Sequence, residues 1–319
     1  MAISEQNFAA DYAALVMPYY ETGTGGSFVG ANGAALAYRT FNRGADTPAI
    51  VLVPGYSESY RKYAELIYDL GSRGYSIYAM DPRGQGASQR LAPLLELGHV
   101  DDFDNYVSDL DAFITRFVLP DRHPQVFLLA HSLGAAIAAR YLAAHPRTFD
   151  AVVLSSPMFR INTGDSDETY AYFGSWWKTV TGQSEQPVDG LDRYVYNPAL
   201  TVAQSRVTSS QPRWDMSKRI IHDDPGLALG GVSYGWLFQA LKATAGIERT
   251  ANLLQVPVTI LKAGRDQIVK TQSDDWYCGQ SPVPCTVISA PFADAEHEIL
   301  QERDVMRDPA IAAILAAFR

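Results

Sequence analysis

Between residues 49 and 155 the chain alternates two patterns of apolar residues. Short, almost wholly apolar runs, "AIVLV" (49–53), "YSIYAM" (75–80), "VFLLA" (126–130) and "AVVLS" (151–155), are the length of buried strands. The segments between them repeat their apolar residues every three or four positions, as helices do. These are "SYRKYAELIYDLGSRG", closing on Gly74, "DDFDNYVSDLDAFITRFVL", with an acidic first turn that suits the helix dipole, and an alanine-rich helix from Leu133. Upstream, "FVGANGAALAYRTF" alternates apolar and polar residues around Asn32-Gly33 and predicts a hairpin. Strands without a polar face, separated by helices, predict a doubly wound α/β fold with a mostly parallel sheet covered on both sides.

After Ser155 the rhythm stops, and it resumes at "VPVTILKAG" (256–264), "PCTVIS" (284–289) and a last helix, "DPAIAAILAAF". The interval is too long for a structureless loop. "TYAYFGSWWKTV", "SKRIIHDDP" and "YGWLFQALKAT" have helical patterns, so an inserted helical cap is expected. The division is a core of 1–156 and 233–319 with a cap at 157–232. Trp176, Trp177, Trp214 and Trp236 fall in or beside it. Most of them are expected in the core between cap and sheet; the alternative is an apolar tunnel above a site, with Trp176 and Trp177 as candidate substrate contacts.

Composition narrows the partners. The 319 residues carry a formal charge of −9, and no basic run exceeds a pair. That argues against nucleic acid and against purely electrostatic docking on anionic membranes. The start of the chain has neither a basic n-region nor an unbroken apolar stretch, so no secretory signal or membrane span is expected. A cytoplasmic location is expected, with peripheral contact with the inner membrane as an alternative. "FAADYAALV" is expected to pack on its own domain rather than on lipid. Cys278 and Cys285 have no histidine or further cysteine at ligand spacing, so no metal is expected. Free thiols are the expectation for them, although the short loop between permits a disulfide.

The candidate chemistry begins at Ala130-His131-Ser132-Leu133-Gly134, where a strand turns sharply into a helix. This is the frame of a nucleophile elbow, with alanine at the first position of G-x-S-x-G. By itself it is balanced by the reading of Ser132 as a helix N-cap. A serine nucleophile needs a base and an orienting acid, which in this frame follow in the order acid, histidine after later strands. Asp266 follows "VTILKAG", and His297 follows "TVISA"; no other histidine has that order and position. Glu296 and Glu298 flank His297 but project elsewhere. Two N–H donors for an oxyanion are expected at Leu133 and Tyr56, since Pro54 has no N–H. No cofactor is expected.

The blocks "PGYSESYRKYAEL", "DPRGQGASQR", "GHVDDFDNYVSDL", "AHSLGAA", "GRDQIV" and "HEILQERDVMR" resemble the monoacylglycerol lipase and bacterial lysophospholipase branch of the α/β-hydrolases. The resemblance runs from about residue 50 to the C-terminus. It implies a Ser132–His297–Asp266 triad, oxyanion donors at Tyr56 and Leu133, and a structural role for Asp81. It also places Glu58, Ser59 and Tyr60 near a glycerol or head group, with capping of the next helix as the alternative. Two positions depart from most relatives: Pro54 where many have histidine, and Ala130 where most have glycine. The expected activity is hydrolysis of a small lipid ester with one acyl chain, a lysophospholipid or monoacylglycerol. A short-chain carboxylesterase is the near alternative, and a non-catalytic protein binding an apolar ligand under its cap is the distant one.

Overall fold

The computed structural model describes residues 3–164, 166–191, 194, 197 and 199–319, so parts of the 157–232 segment lie outside the described residues. Eight strands form one sheet in the order β1-β2-β4-β3-β5-β6-β7-β8. Strands β1 (Thr24–Val29) and β2 (Ala35–Phe41) are the antiparallel hairpin, closed through left-handed Asn32 and Gly33. Strand β2 also runs antiparallel to β4 (Ser76–Met80). Strands β3 (Ala49–Val53), β4, β5 (Val126–His131), β6 (Ala151–Ser155), β7 (Val258–Leu261) and β8 (Cys285–Ile288) are mutually parallel.

Every residue of β3, β4 and β6 is buried, which is why their sequences lack the polar alternation of a half-exposed strand. Alternate side chains sort onto the two faces. Val51, Val53, Leu128, Ala130, Val152 and Leu154 meet the helices Asp104–Phe113 and Leu133–Ala144. Ile50, Leu52, Ile77, Leu129 and Val153 meet Ala64–Gly71 and Asp304–Ala317 on the other face. The N-terminal helical stretch buries Phe8, Tyr12 and Val16 against Ala64, on its own domain.

Between β6 and β7 lie the helices Glu168–Lys178, Gln211–Asp223 and Tyr234–Thr244. The second begins earlier than its apolar pattern suggests, because Pro212 occupies its first turn, where a missing N–H costs nothing. Its anchor is Arg213, fully buried, which donates to both Glu65 carboxylate oxygens (2.9 and 2.9 Å), to Asp304 (2.8 Å) and to the Glu302 carbonyl (2.8 Å).

Two expectations need correction. Cys278 and Cys285 form a disulfide across a Cα separation of 5.1 Å; they are not free thiols. The tail of the helix Gln272–Gly279 returns directly into β8 and brings the two together. The cap tryptophans also do not mostly form a core. Trp236 is buried, with Nε1 donating to Tyr106 (3.2 Å), and Trp214 is half-buried. Trp176 and Trp177 are exposed on the outer side of their helix. Apolar periodicity marks a face, but not whether another element covers it.

Candidate active site

Ser132 sits where β5 ends and the helix Leu133–Ala144 begins, at φ 51° and ψ −114°. That conformation costs a non-glycine residue about 1–3 kcal/mol. The strain turns the side chain away from the helix: Ser132 Oγ makes no capping hydrogen bond. It lies instead 2.9 Å from His297 Nε2. Ala130, in place of glycine, pairs through its backbone with Val53 of β3 and Leu154 of β6, and its methyl is buried in the core on the face covered by the helix Leu133–Ala144.

His297 Nδ1 is 2.7 Å from Asp266 Oδ2. The other Asp266 oxygen accepts from the N–H groups of Ile268 (2.8 Å) and Val269 (3.0 Å). Burial alone would raise the Asp266 carboxyl; hydrogen bonding to His297, the charge there and the two N–H groups outweigh it and hold the group below its ordinary range. An ionised carboxylate thus faces the side of the imidazole remote from Ser132. Neither glutamate beside His297 takes the place of Asp266: both ring nitrogens are occupied by Asp266 and Ser132, Glu298 turns to Lys62, and Glu296 Oε2 has no hydrogen-bond partner among the described residues. The Glu296 backbone N–H donates to Glu302 (2.8 Å). Glu302 is fully buried and also accepts from the Ser209 N–H (3.1 Å), while the Glu298 N–H donates to the Val207 carbonyl (2.7 Å). The histidine loop is therefore fastened to the cap segment 207–209.

Leu133 is the first residue of its helix, so its N–H has no acceptor within the helix. The 54–59 loop after β3 lies against the start of this helix. Gly134 lets the two approach, since a Cβ there would meet Val53 O at 2.4 Å and Pro54 O at 2.6 Å. Gly55 in turn lies against Ser132, whose Cβ is 3.0 Å from the position a Gly55 Cβ would take. The Tyr56 ring is held away from the site, tilted at 54° against Trp236 with its hydroxyl donating to Gly231 O (2.9 Å). Among the described residues the Tyr56 and Leu133 N–H groups have no acceptor.

The chain matches the family described as serine aminopeptidase S33 over residues 45–304. Lysophospholipase L2 of Escherichia coli K12 is 31% identical over 318 residues, covering 98% of this chain and 93% of that protein. The chain is an α/β-hydrolase of the lysophospholipase and monoacylglycerol lipase family. The probable lysophospholipase L2 of Haemophilus influenzae is 30% identical to this hydrolase over 96% of the chain and 95% of its own length. The fold agrees with a solved monoacylglycerol lipase of Paleococcus ferrophilus, with TM-score 0.67 and 23% identity over 88% of this chain and 97% of that one.

Sequence reasoning missed the lysine at the centre of the hydrolase's polar cluster. Lys62 Nζ donates to Glu58 (2.9 Å) and Glu298 (2.5 Å). Glu58 also accepts from the Gly55 N–H (2.6 Å) and the Tyr63 hydroxyl (2.5 Å). Burial would raise Glu58, but the Lys62 ammonium and these donors hold it low. The i, i+4 spacing of Glu58 and Lys62 was the available signal. His131 beside the nucleophile is pushed down to about 4 by burial and stays neutral. Ser59 caps the turn Tyr60–Tyr63 by accepting from the Arg61 N–H (3.3 Å). A cavity of about 230 Å³ opens beside the cluster, lined by Ser57, Glu58 and Glu298 from the core and by Val207, Trp214 and Ile221 from the cap. Trp176 and Trp177 are not among its walls.

Proposed function

We propose that this hydrolase cleaves carboxylic esters carrying a single acyl chain, of the lysophospholipid or monoacylglycerol kind, through an acyl-enzyme on Ser132. The observation that carries the reading is the unbroken chain Ser132 Oγ, His297, Asp266, with contacts of 2.9 and 2.7 Å. Ser132 attacks the ester carbonyl while its proton passes to His297 Nε2. Asp266 holds the Nδ1–H and balances the imidazolium charge. The N–H groups of Tyr56 and Leu133 receive the oxyanion. Collapse expels the alcohol, which takes the proton from His297. A water then attacks the acyl-enzyme by the same route and frees the acid.

The relatives named lysophospholipase and the partly apolar cavity beneath the cap segment 157–232 support a lipid ester. Glu58 lines that cavity as a head-group contact must, but its oxygens already serve Gly55, Tyr63 and Lys62. We assign it to holding the loop. A peptide substrate is disfavoured: the carboxylates lining the cavity, Glu58 and Glu298, share the Lys62 ammonium and offer no free anchor for an α-amino group. Tyr170, Phe173, Trp177 and Val180 follow one another at helical spacing and are each more than half exposed, with Trp176 beside them. Aromatic side chains of this kind favour a membrane–water interface, and in the proposed scheme this face rests on lipid while substrate enters. Among the described residues no helix is long and apolar enough to cross a membrane.

A panel of p-nitrophenyl esters of rising chain length, followed by lysophosphatidylcholine and monoacylglycerol, tests the substrate class. Rates that fall steadily beyond butyrate would leave a short-chain carboxylesterase. Co-sedimentation with zwitterionic vesicles tests the lipid-facing helix, and equal pelleting of the parent and a Phe173→Ser/Trp177→Ser variant would remove it from the scheme.

A further inference from the structure

The turn "DPRGQG" (81–86) takes no part in this scheme, yet it lies directly under the 54–59 loop. Asp81 at its head is fully buried and accepts from the Tyr60 N–H (2.6 Å), the Ser59 hydroxyl (2.9 Å) and the Ala87 N–H (2.8 Å). The bonds from Ser59 and Tyr60 fasten the turn to the end of the loop and the residue after it. Gln85 is thereby carried to the underside of the loop and is 1% exposed. Its Nε2 donates to the carbonyls of Gly55 (2.6 Å) and Glu58 (2.9 Å). Both partners can only accept, so the atom facing them is the NH₂ and the orientation of the amide is fixed.

We propose that Gln85 is a positioning residue for the oxyanion hole: by holding the Gly55 carbonyl it aims the Tyr56 N–H at the reacting oxygen. The proposal rests on the reading of Ser132 and Tyr56 given above. The Gly55 carbonyl and the Tyr56 N–H belong to one planar, trans peptide unit, so they point in opposite directions. Fixing the oxygen on the lower side fixes the hydrogen on the upper side. The preceding peptide is also tied, because the Gly55 N–H donates to Glu58. Gln85 spans the stretch containing Ser57, which is held at φ 59° and would relax in a free loop. A hydrogen bond at the carbonyl further polarises the peptide and strengthens the donor at its other end. A donor that is already aimed needs no reorganisation when negative charge develops.

Gln85→Met keeps the length of the side chain and removes the donor. Its kcat and KM on p-nitrophenyl butyrate are measured with its melting temperature and its affinity for an alkyl trifluoromethyl ketone, which forms a tetrahedral oxyanion adduct on a serine nucleophile. The expected kcat falls about 10- to 100-fold, less than the loss of a whole oxyanion donor. KM changes by less than about 3-fold, and affinity for the ketone falls in proportion to kcat/KM. Normal kcat and ketone affinity would overturn the proposal, and so would a loss of kcat with ketone affinity unchanged. If Gln85→Met does not fold, Gln85→Asn, too short to reach Gly55, is judged by the same criteria. Failure of the underlying reading shows separately: the parent enzyme would then not bind the ketone, or Ser132→Ala would keep its activity.

Discussion

Gly134→Ala probes the contact between the start of the helix Leu133–Ala144 and the end of β3, on which the proposed pairing of the Leu133 and Tyr56 N–H groups depends. The added methyl would stand 2.4 Å from Val53 O and 2.6 Å from Pro54 O, against an ordinary contact of 3.4 Å or more. Both obstacles are backbone atoms at the end of β3 and cannot rotate away. The start of the helix Leu133–Ala144 must therefore withdraw by about 1 Å, carrying Ser132 and the Leu133 N–H with it. Overpacking of this kind costs about 1–3 kcal/mol of stability. A displacement of about 1 Å at a reacting centre costs up to about 100-fold in rate. Urea denaturation and steady-state hydrolysis of p-nitrophenyl butyrate read the two effects, and kcat should fall further than KM changes. A variant with the parent's stability and kcat would show that the helix does not lie against β3 in this way.

Replacing His297 by alanine should lower turnover by several powers of ten, as triad losses do; near-normal hydrolysis would require another base. Asp274 is fully buried, with neither oxygen partnered among the described residues, and burial pushes it from 3.8 up to about 8. Its folded form keeps a proton that the unfolded chain releases, so stability is full below about pH 4 and is lost as pH rises through 8. Asp274→Asn should therefore gain in melting temperature over the parent progressively between pH 4 and 8, and an equal gain at all pH values would contradict this. Replacing Cys278 and Cys285 with serine should cost about 2–3 kcal/mol for so short a closed loop, read by urea denaturation. Hydrolysis at 25 °C should be unaffected, because the disulfide lies at the sheet edge.

The strands were legible because a strand buried on both faces leaves an apolar run that few other elements produce. The elbow by itself was not: Ser132 before a helix reads equally as a cap, and only Asp266 and His297 downstream gave it a chemical context. What stayed hidden depends on pairing across the fold. Lys62 meets Glu298, 236 residues away, and Arg213 meets Glu65 and Asp304, so neither contact has a local signature. The cap helix Glu168–Lys178 shows the opposite failure, a periodic aromatic pattern whose face is exposed among the described residues. Gln85 could have been found only by knowing which carbonyls lie above it.

The most direct test of the account is labelling of the folded enzyme with a fluorophosphonate probe, followed by peptide mapping. The account predicts one adduct, on Ser132, formed rapidly in the parent and lost or greatly slowed in His297→Ala. Absence of an adduct in active, folded protein, or an adduct on a different serine, would contradict it.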